Sequence, residues 1–135
     1  MKRFLIIAAF AVQIITACGQ GNTTASNSSE KDTAWYATRM DEINAEGQKL
    51  SDEYKSLAAM PETDATKARE KQLSESFDSL VNTMKATTLE IARKFKDSKF
   101  PARYLSGDIV YSLSYDELKE VCDPKSGYYN EPELK

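Results

Sequence analysis

Two stretches of the chain repeat apolar residues at alternating steps of four and three, which limits the fold more than any other feature. Such heptad spacing places side chains along one narrow stripe of an α-helix, where a second helix can cover them. Two amphipathic helices are therefore predicted. The first stripe is Tyr36, Met40, Ile43, Gly47, Leu50, Tyr54 and Leu57; the second is Leu73, Phe77, Leu80, Met84, Thr87 and Ile91, continued by Phe95.

The connection between the two stripes is short and contains Pro61. Proline removes a backbone donor and clashes with the preceding turn, so it ends the first helix, whose start Ser29 or Asp32 can cap. Two helices of similar length joined by a short turn fold back on each other. We expect an antiparallel helical hairpin over residues 34–97.

Residues 98–135 predict two or three shorter helices. Pro101 suits the first position of a helix, and Leu105, Ile109 and Leu113 give that helix an apolar face at four-residue steps. No convincing alternation of period two is present, so the fold class is all-α: an antiparallel two-helix hairpin followed by short helices.

The stretch SYDELKEVCD predicts the next short helix. Ser114 and Glu117 have the spacing of a capping box, and Leu118, Val121 and Cys122 are expected to face inward. The tail then has a turn at residues 126–127 and a new helix start at residues 131–132, and it looks truncated.

The N-terminus has the pattern of a secretory signal. Lys2 and Arg3 precede the apolar residues 4–15, a run too short for a comfortable membrane span, and Ile15-Thr16-Ala17-Cys18-Gly19 resembles the processing site of bacterial lipoproteins. We expect residues 1–17 to be a lipoprotein signal peptide and Cys18 to be the acylated first residue of the mature chain. The alternative is an ordinary signal peptide that happens to contain a cysteine.

Residues 18–33 are rich in Ser, Thr, Asn and Gly and are predicted to form a flexible polar tether. The acyl chains on Cys18 would anchor the protein, since two or three chains release very slowly. By the known sorting of lipoproteins, Gly19 is not the aspartate that retains proteins in the inner membrane. We therefore expect attachment to the periplasmic face of the outer membrane.

Composition excludes several classes of function. Cleavage before Cys18 would remove two of the 18 Lys and Arg residues and none of the 21 Asp and Glu, leaving a net charge of −5, which argues against nucleic-acid binding. Histidine is absent, so the usual general base and commonest metal ligand are missing. We expect no catalytic residue, cofactor or metal.

Cys122 invites a redox interpretation, yet the sequence has no C-x-x-C motif, and the end of a helix disfavours a thiolate. We expect a packing residue, with an intermolecular disulfide as the alternative. The adjacent carboxylates Asp41-Glu42 and Asp52-Glu53 point to different sides of a helix and suit neither shared acid–base work nor a metal cage.

Eight aromatic residues could instead line a groove for a glycan or a peptide, although their place on helical stripes favours packing. They are Trp35, Tyr36, Tyr54, Tyr104, Tyr111, Tyr115, Tyr128 and Tyr129.

The order of elements, with FKDSKFPARYLSGDIVYSLSYDELKEVCD and then YYNEPELK, resembles the helical segment of Bacteroidota thioredoxin-like lipoproteins, the membrane-attached thiol–disulfide interchange proteins. The resemblance covers roughly residues 35–135. It lacks the family's C-x-x-C pair, its cis-proline loop and its βαβ strands, so no catalytic residue is carried over. It implies a module that positions or dimerises a redox domain.

Three functional hypotheses follow. The first is a lipid-anchored periplasmic module, non-catalytic, that serves as a spacer or a protein-binding platform. The second is an independent cell-envelope structural lipoprotein whose hairpin oligomerises as a coiled coil. The third is an oxidoreductase that uses Cys122 alone.

Overall fold

The computed structural model describes residues 31–134 apart from Ser106, and every regular element in that part of the chain is helical. Two long helices, α1 (Thr33–Ala58) and α2 (Asp64–Lys94), run antiparallel and pack against each other. The 3₁₀ helices Phe100–Tyr104 and Gly107–Ser112, the helix α3 (Tyr115–Val121) and the 3₁₀ helix Pro132–Leu134 follow. The predicted all-α hairpin with shorter helices behind it is confirmed.

Local capping interactions account for where the long helices begin. The side chain of Asp32 accepts a hydrogen bond from the backbone N–H of Trp35 at 2.8 Å, so the predicted cap of α1 is present. At the start of α2, the backbone N–H of Thr63 donates to Thr66 Oγ1 and the N–H of Thr66 donates to Thr63 Oγ1, at 2.8 and 3.1 Å. This capping box was not predicted from the sequence, because it uses threonine where glutamate or glutamine is usual.

The predicted stripes form the contact between α1 and α2. Tyr36, Met40, Ile43 and Ile91 make one buried cluster near the open end of the hairpin. Farther along α1, Gly47 of the predicted stripe is buried, but the next buried residue is Ser51, whereas Leu50 is only half-buried. An α-helix has 3.6 residues per turn, so a strict 3.5-residue repeat drifts around the helix and the contact line moves to a neighbouring position.

Residues 100–113 depart from the prediction of one α-helix. Two 3₁₀ helices replace it, and Gly107, with φ of 75°, lies between them at the start of the second. A left-handed residue interrupts the α-helical hydrogen-bond pattern, which the four-residue spacing of Leu105, Ile109 and Leu113 did not reveal. Leu105 and Leu113 are nevertheless buried, while Ile109 is half-buried.

A second apolar face of α2 holds the C-terminal part of the chain. Leu89 and Ala92 lie off the predicted stripe and pack into a separate core cluster. The heptad series predicts a single apolar face for α2, because two apolar positions three residues apart are a weak signal beside a six-residue series. The other buried members of this cluster are Ala102, Leu105, Leu113, Val121 and Tyr128.

Candidate functional site

The open end of the hairpin, which we call the base, ties the first described residues to the last turns of α2. Tyr36 Oη donates a hydrogen bond to Glu90 Oε1 at 2.5 Å, and Lys31 Nζ reaches the same oxygen at 3.5 Å. Lys94 Nζ donates to the backbone oxygen of Lys31. The chain therefore enters the hairpin beside the C-terminal end of α2.

The electrostatics at the base keep the phenol neutral and the carboxylate charged. Burial, together with the hydrogen bond to Glu90, raises the pKa of Tyr36 to about 12. The same hydrogen bond lowers the pKa of Glu90 against the opposing effect of burial, and Lys31 and Lys94 lower it further. At neutral pH neither Tyr36 nor Glu90 exchanges a proton. The hydrogen bond between them therefore stabilises the packing of α1 against α2 and offers no acid–base chemistry.

Aromatic rings extend the base as a row of edge-to-face contacts. Trp35, Tyr36, Phe95, Phe100 and Tyr104 follow one another with ring centroids 5.0 to 5.6 Å apart. Pairs of this geometry each contribute about 0.5–1.5 kcal/mol beyond the area they bury. These rings are packing residues.

The remaining aromatic residues do not form the groove that the alternative hypothesis requires. Tyr128 is buried and Tyr54 is half-buried, whereas Tyr111, Tyr115 and Tyr129 are 89%, 79% and 40% exposed. An open hollow on α1 contains Trp35 as its only ring; its lining is Ala34, Trp35, Thr38, Arg39 and Glu42.

The C-terminal segment, residues 107–134, which we call the strap, is joined to α2 and to the turn after it by ion pairs. Glu117, Glu120, Asp123 and Glu131 supply the carboxylates. The N–O distances among the described residues are Lys85–Glu117 2.8 Å, Arg93–Glu120 2.7 Å, Lys96–Asp123 2.6 Å and Lys99–Glu131 2.7 Å.

These contacts shift the carboxyl groups of the strap toward the charged form. The hydrogen bond from Lys85, assisted by the backbone N–H of Ser114 in the predicted capping box, lowers the pKa of Glu117 to about 2. Arg93 lowers the pKa of Glu120, and Lys96 lowers that of Asp123. Carboxylates held ionised in this way are poor general acids or bases at neutral pH.

Cys122 is exposed, and the prediction that it faces inward is wrong. It is the C-cap residue of α3, and its backbone N–H donates to the carbonyl of Leu118. Because α3 ends at Val121, Cys122 leaves the apolar face that Val121 occupies. The thiol is accessible to a second molecule, and the intermolecular disulfide stays a prediction.

The other candidate chemistry of the sequence is not assembled into a centre. In the described residues, no group of three or more His, Cys, Asp or Glu side chains is placed to hold a metal ion. Glu42 pairs with Arg39 on its own helix, and Glu53 pairs with Arg69 across the hairpin. Asp52 accepts from Gln48.

The predicted signal peptide, the predicted lipidation site Cys18 and most of the predicted tether lie outside the described residues. Within residues 31–134, no helix has the length and hydropathy needed to cross a bilayer. Comparison with models of protein families, with curated proteins and with solved structures finds no match to this chain.

Proposed function

We propose that the protein is a lipid-anchored periplasmic helical module, attached through Cys18 to the outer membrane, that acts as a non-catalytic spacer or protein-binding platform. The main support for this proposal is the direction in which the hairpin extends from the point where the chain enters it. The chain enters at the base, where Lys31 and Tyr36 contact Glu90 of α2, and α1 then runs away from that point for 26 residues.

The length of α1 supports a spacer. At 1.5 Å per residue, a helix of this size places its far end about 39 Å from the base. The turn at that far end, which we call the tip, exposes Met60 by 56% and contains Pro61. A lipid anchor at the end of the polar tether would hold the base near the membrane and present the tip to a partner.

The ion-pairing of the strap favours a non-catalytic role. Glu117, Glu120 and Asp123 have lowered pKa values because cations of α2 and of the turn after it contact them. They stabilise the fold in their charged form. The chemistry of a thiol–disulfide partner, which the resemblance implies, would have to come from another domain or another chain. Sequencing the gene downstream in the same frame, with a search for strands and a C-x-x-C motif, tests that source.

Metabolic labelling tests the anchor. We expect palmitate to label the wild-type protein and the Cys122→Ser variant equally, and to be absent from Cys18→Ala. We also expect outer-membrane fractions to contain the wild type and not Cys18→Ala. Equal labelling of Cys18→Ala and wild type would contradict acylation at this position.

An insulin-reduction assay addresses the redox alternative. The wild-type chain by itself is expected to show no activity above buffer. Activity that is lost in Cys122→Ser would contradict the non-catalytic role.

A second candidate function is self-association through the half of the hairpin near the tip. The ion pairs of the strap reach α2 only from Lys85 onward, and Phe77, Leu80 and Tyr54 remain half-buried. A second hairpin packed along them would make a coiled-coil bundle. Sedimentation of residues 34–135 decides between the two: a dimer or larger assembly supports the structural lipoprotein, and a strict monomer supports the platform.

A further inference from the structure

Trp35, in the first turn of α1, differs from the other rings of the aromatic row at the base. It stands at the end of the row and is 42% exposed, whereas the other four rings are buried or half-buried. Within residues 31–134 its only hydrogen bond is made by the backbone N–H, to Asp32. The indole N–H therefore has no acceptor in that part of the chain, and the ring presents both apolar surface and one donor to its surroundings.

Cationic side chains flank this exposed ring. Lys31 Nζ lies 4.5 Å from the ring centroid, and Arg39 lines the open hollow on α1 beside the ring. Each side chain stays exposed, 48% for Lys31 and 42% for Arg39, although each also contacts a carboxylate, that of Glu90 or of Glu42. We call Lys31, Trp35 and Arg39 the indole patch. An amphipathic ring bordered by long cationic side chains is typical of protein surfaces that lie at the level of lipid headgroups.

The indole patch is open in the part of the chain that the structure describes. α1 packs mainly against α2, and the C-terminal elements pack mainly against α2 as well. The side of α1 that carries Trp35 and Arg39 is thus left for a partner outside residues 31–134.

The predicted lipidation site is close to the indole patch along the chain. Lys31 is 13 positions after Cys18. A Ser-, Thr-, Asn- and Gly-rich chain of that length has an end-to-end distance of about 20 Å and spans at most about 45 Å when fully extended. An acylated Cys18 would therefore hold the patch near the bilayer at a local concentration on the order of millimolar. The length of the tether and its entry at the base favour a lipid surface as the partner.

We propose that the indole patch is a membrane contact, in which the ring of Trp35 lies among the headgroups of the bilayer that holds the anchor, and Lys31 and Arg39 bind lipid phosphates. This inference deepens the proposed function and rests on it. Glu42 and Glu90 balance the two cations. The contact therefore depends on the indole more than on net charge and needs no anionic lipid. It places the base on the bilayer and the tip away from it.

The chain contains a single tryptophan, so its fluorescence reports on Trp35 alone. The test uses residues 18–135 with Cys122→Ser, coupled through the Cys18 thiol to maleimide lipids in vesicles of phosphatidylcholine and phosphatidylethanolamine. The thiol adds across the maleimide double bond, which anchors the chain without cellular acylation. The reference is the same chain with Cys18→Ala, which cannot couple.

We expect coupling to shift the Trp35 emission to shorter wavelength and to allow quenching by brominated lipids. Quenching by aqueous iodide should fall about threefold relative to the uncoupled chain, because an indole among headgroups is shielded from water. Iodide access that is the same in the coupled and uncoupled chains overturns the proposal.

A second variant moves the fluorescent probe to the tip. Trp35→Phe with Met60→Trp places the only tryptophan at a position where the native side chain is 56% exposed. Brominated lipids are expected to quench Trp35 and to leave this tip probe unquenched. Equal quenching of the two probes overturns the proposal.

Release from vesicles measures the strength of the contact. A maleimide carried on one myristoyl chain holds a protein only reversibly, and Trp35→Gln is then expected to dissociate about tenfold faster than wild type. The matched control Tyr111→Gln removes another exposed ring, in the strap, and should dissociate at the wild-type rate. Equal rates for Trp35→Gln and wild type contradict the contact.

Chemical coupling separates this inference from the anchor itself. Failed palmitate labelling in cells together with a shielded Trp35 on vesicles would contradict acylation and support the membrane contact. Normal palmitate labelling together with an iodide-accessible Trp35 would support the anchor and overturn the contact.

Discussion

Tyr36 combines a buried ring with a buried hydroxyl, and each makes its own contacts. The ring lies between Trp35 and Phe95 in the aromatic row, and the hydroxyl donates to Glu90 across the hairpin. The heptad pattern predicted the ring position. It could not predict the hydrogen bond, because Glu90 lies 54 residues away in the chain and off the apolar stripe.

Tyr36→Phe is expected to lower the free energy of unfolding by about 1 kcal/mol at pH 7, since the ring is kept and one hydrogen bond to a carboxylate is lost. Because folding lowers the pKa of Glu90, the hydrogen bond contributes fully to stability above the ordinary carboxyl pKa of 4.5. This contribution is lost as the pH falls through the lower folded-state pKa. Urea unfolding at pH 7 and pH 3 measures both effects. A difference that is the same at the two pH values would contradict the role of the ionised carboxylate.

Leu80 tests the stripe itself. It packs against the cluster of Tyr36, Met40, Ile43 and Ile91, so Leu80→Asp puts a charge into a mostly apolar contact. We expect a loss of about 2–3 kcal/mol in the free energy of unfolding. Ser79→Asp, one position away on the exposed side, is the matched control and should change little. Equal melting temperatures for Leu80→Asp and wild type would mean that the contact face is wrong.

At the scale of elements, prediction succeeded where the signal is local. The cap at Asp32, the capping box of Ser114 and Glu117, and the two helical stripes each depend on residues within a few turns of one another. It failed for the segment around Gly107, whose left-handed conformation divides the expected helix. Periodicity counts side chains and contains no information on the φ angle of a glycine.

The turn at Gly127 joins the strap to the turn after α2 by backbone contact. Its N–H donates to the carbonyl of Lys96 at 2.8 Å, and a Cβ there would lie 2.5 Å from the carbonyl oxygen of Asp97. Gly127→Ala therefore forces the two backbones apart and is expected to cost about 1–3 kcal/mol. Thermal unfolding measures this, with exposed Asn130→Ala as the control. An alanine variant as stable as the control would show that the turn is loosely docked.

At the scale of the whole molecule, acid sensitivity follows from the strap. The pKa of Glu117 falls from its ordinary value of 4.5 to about 2, and those of Glu120 and Asp123 are also lowered. A lowered carboxyl pKa adds stability above the unfolded-state value, and this stability is lost as the pH falls through the folded-state value. The strap should therefore weaken between pH 4.5 and pH 2.

Comparison of wild type with Glu117→Gln checks this expectation. The wild type should be more stable at pH 7, and the difference should shrink below pH 4.5 and disappear near pH 2. Added salt at pH 7 should reduce the same difference, because screening acts on exposed charges. Urea unfolding at several pH values and salt concentrations gives the curves. A difference that persists at pH 2 would assign the effect to lost packing and not to charge.

The sequence by itself determined that the chain forms two long amphipathic helices and that no histidine chemistry is available. These features depend on spacing and composition within one element. Only the tertiary structure decided that α2 has a second apolar face, that Cys122 is exposed, and that an acidic strap covers a basic surface. Those features arise from pairing between segments far apart in the chain, and the periodicity of either segment alone does not specify its partner.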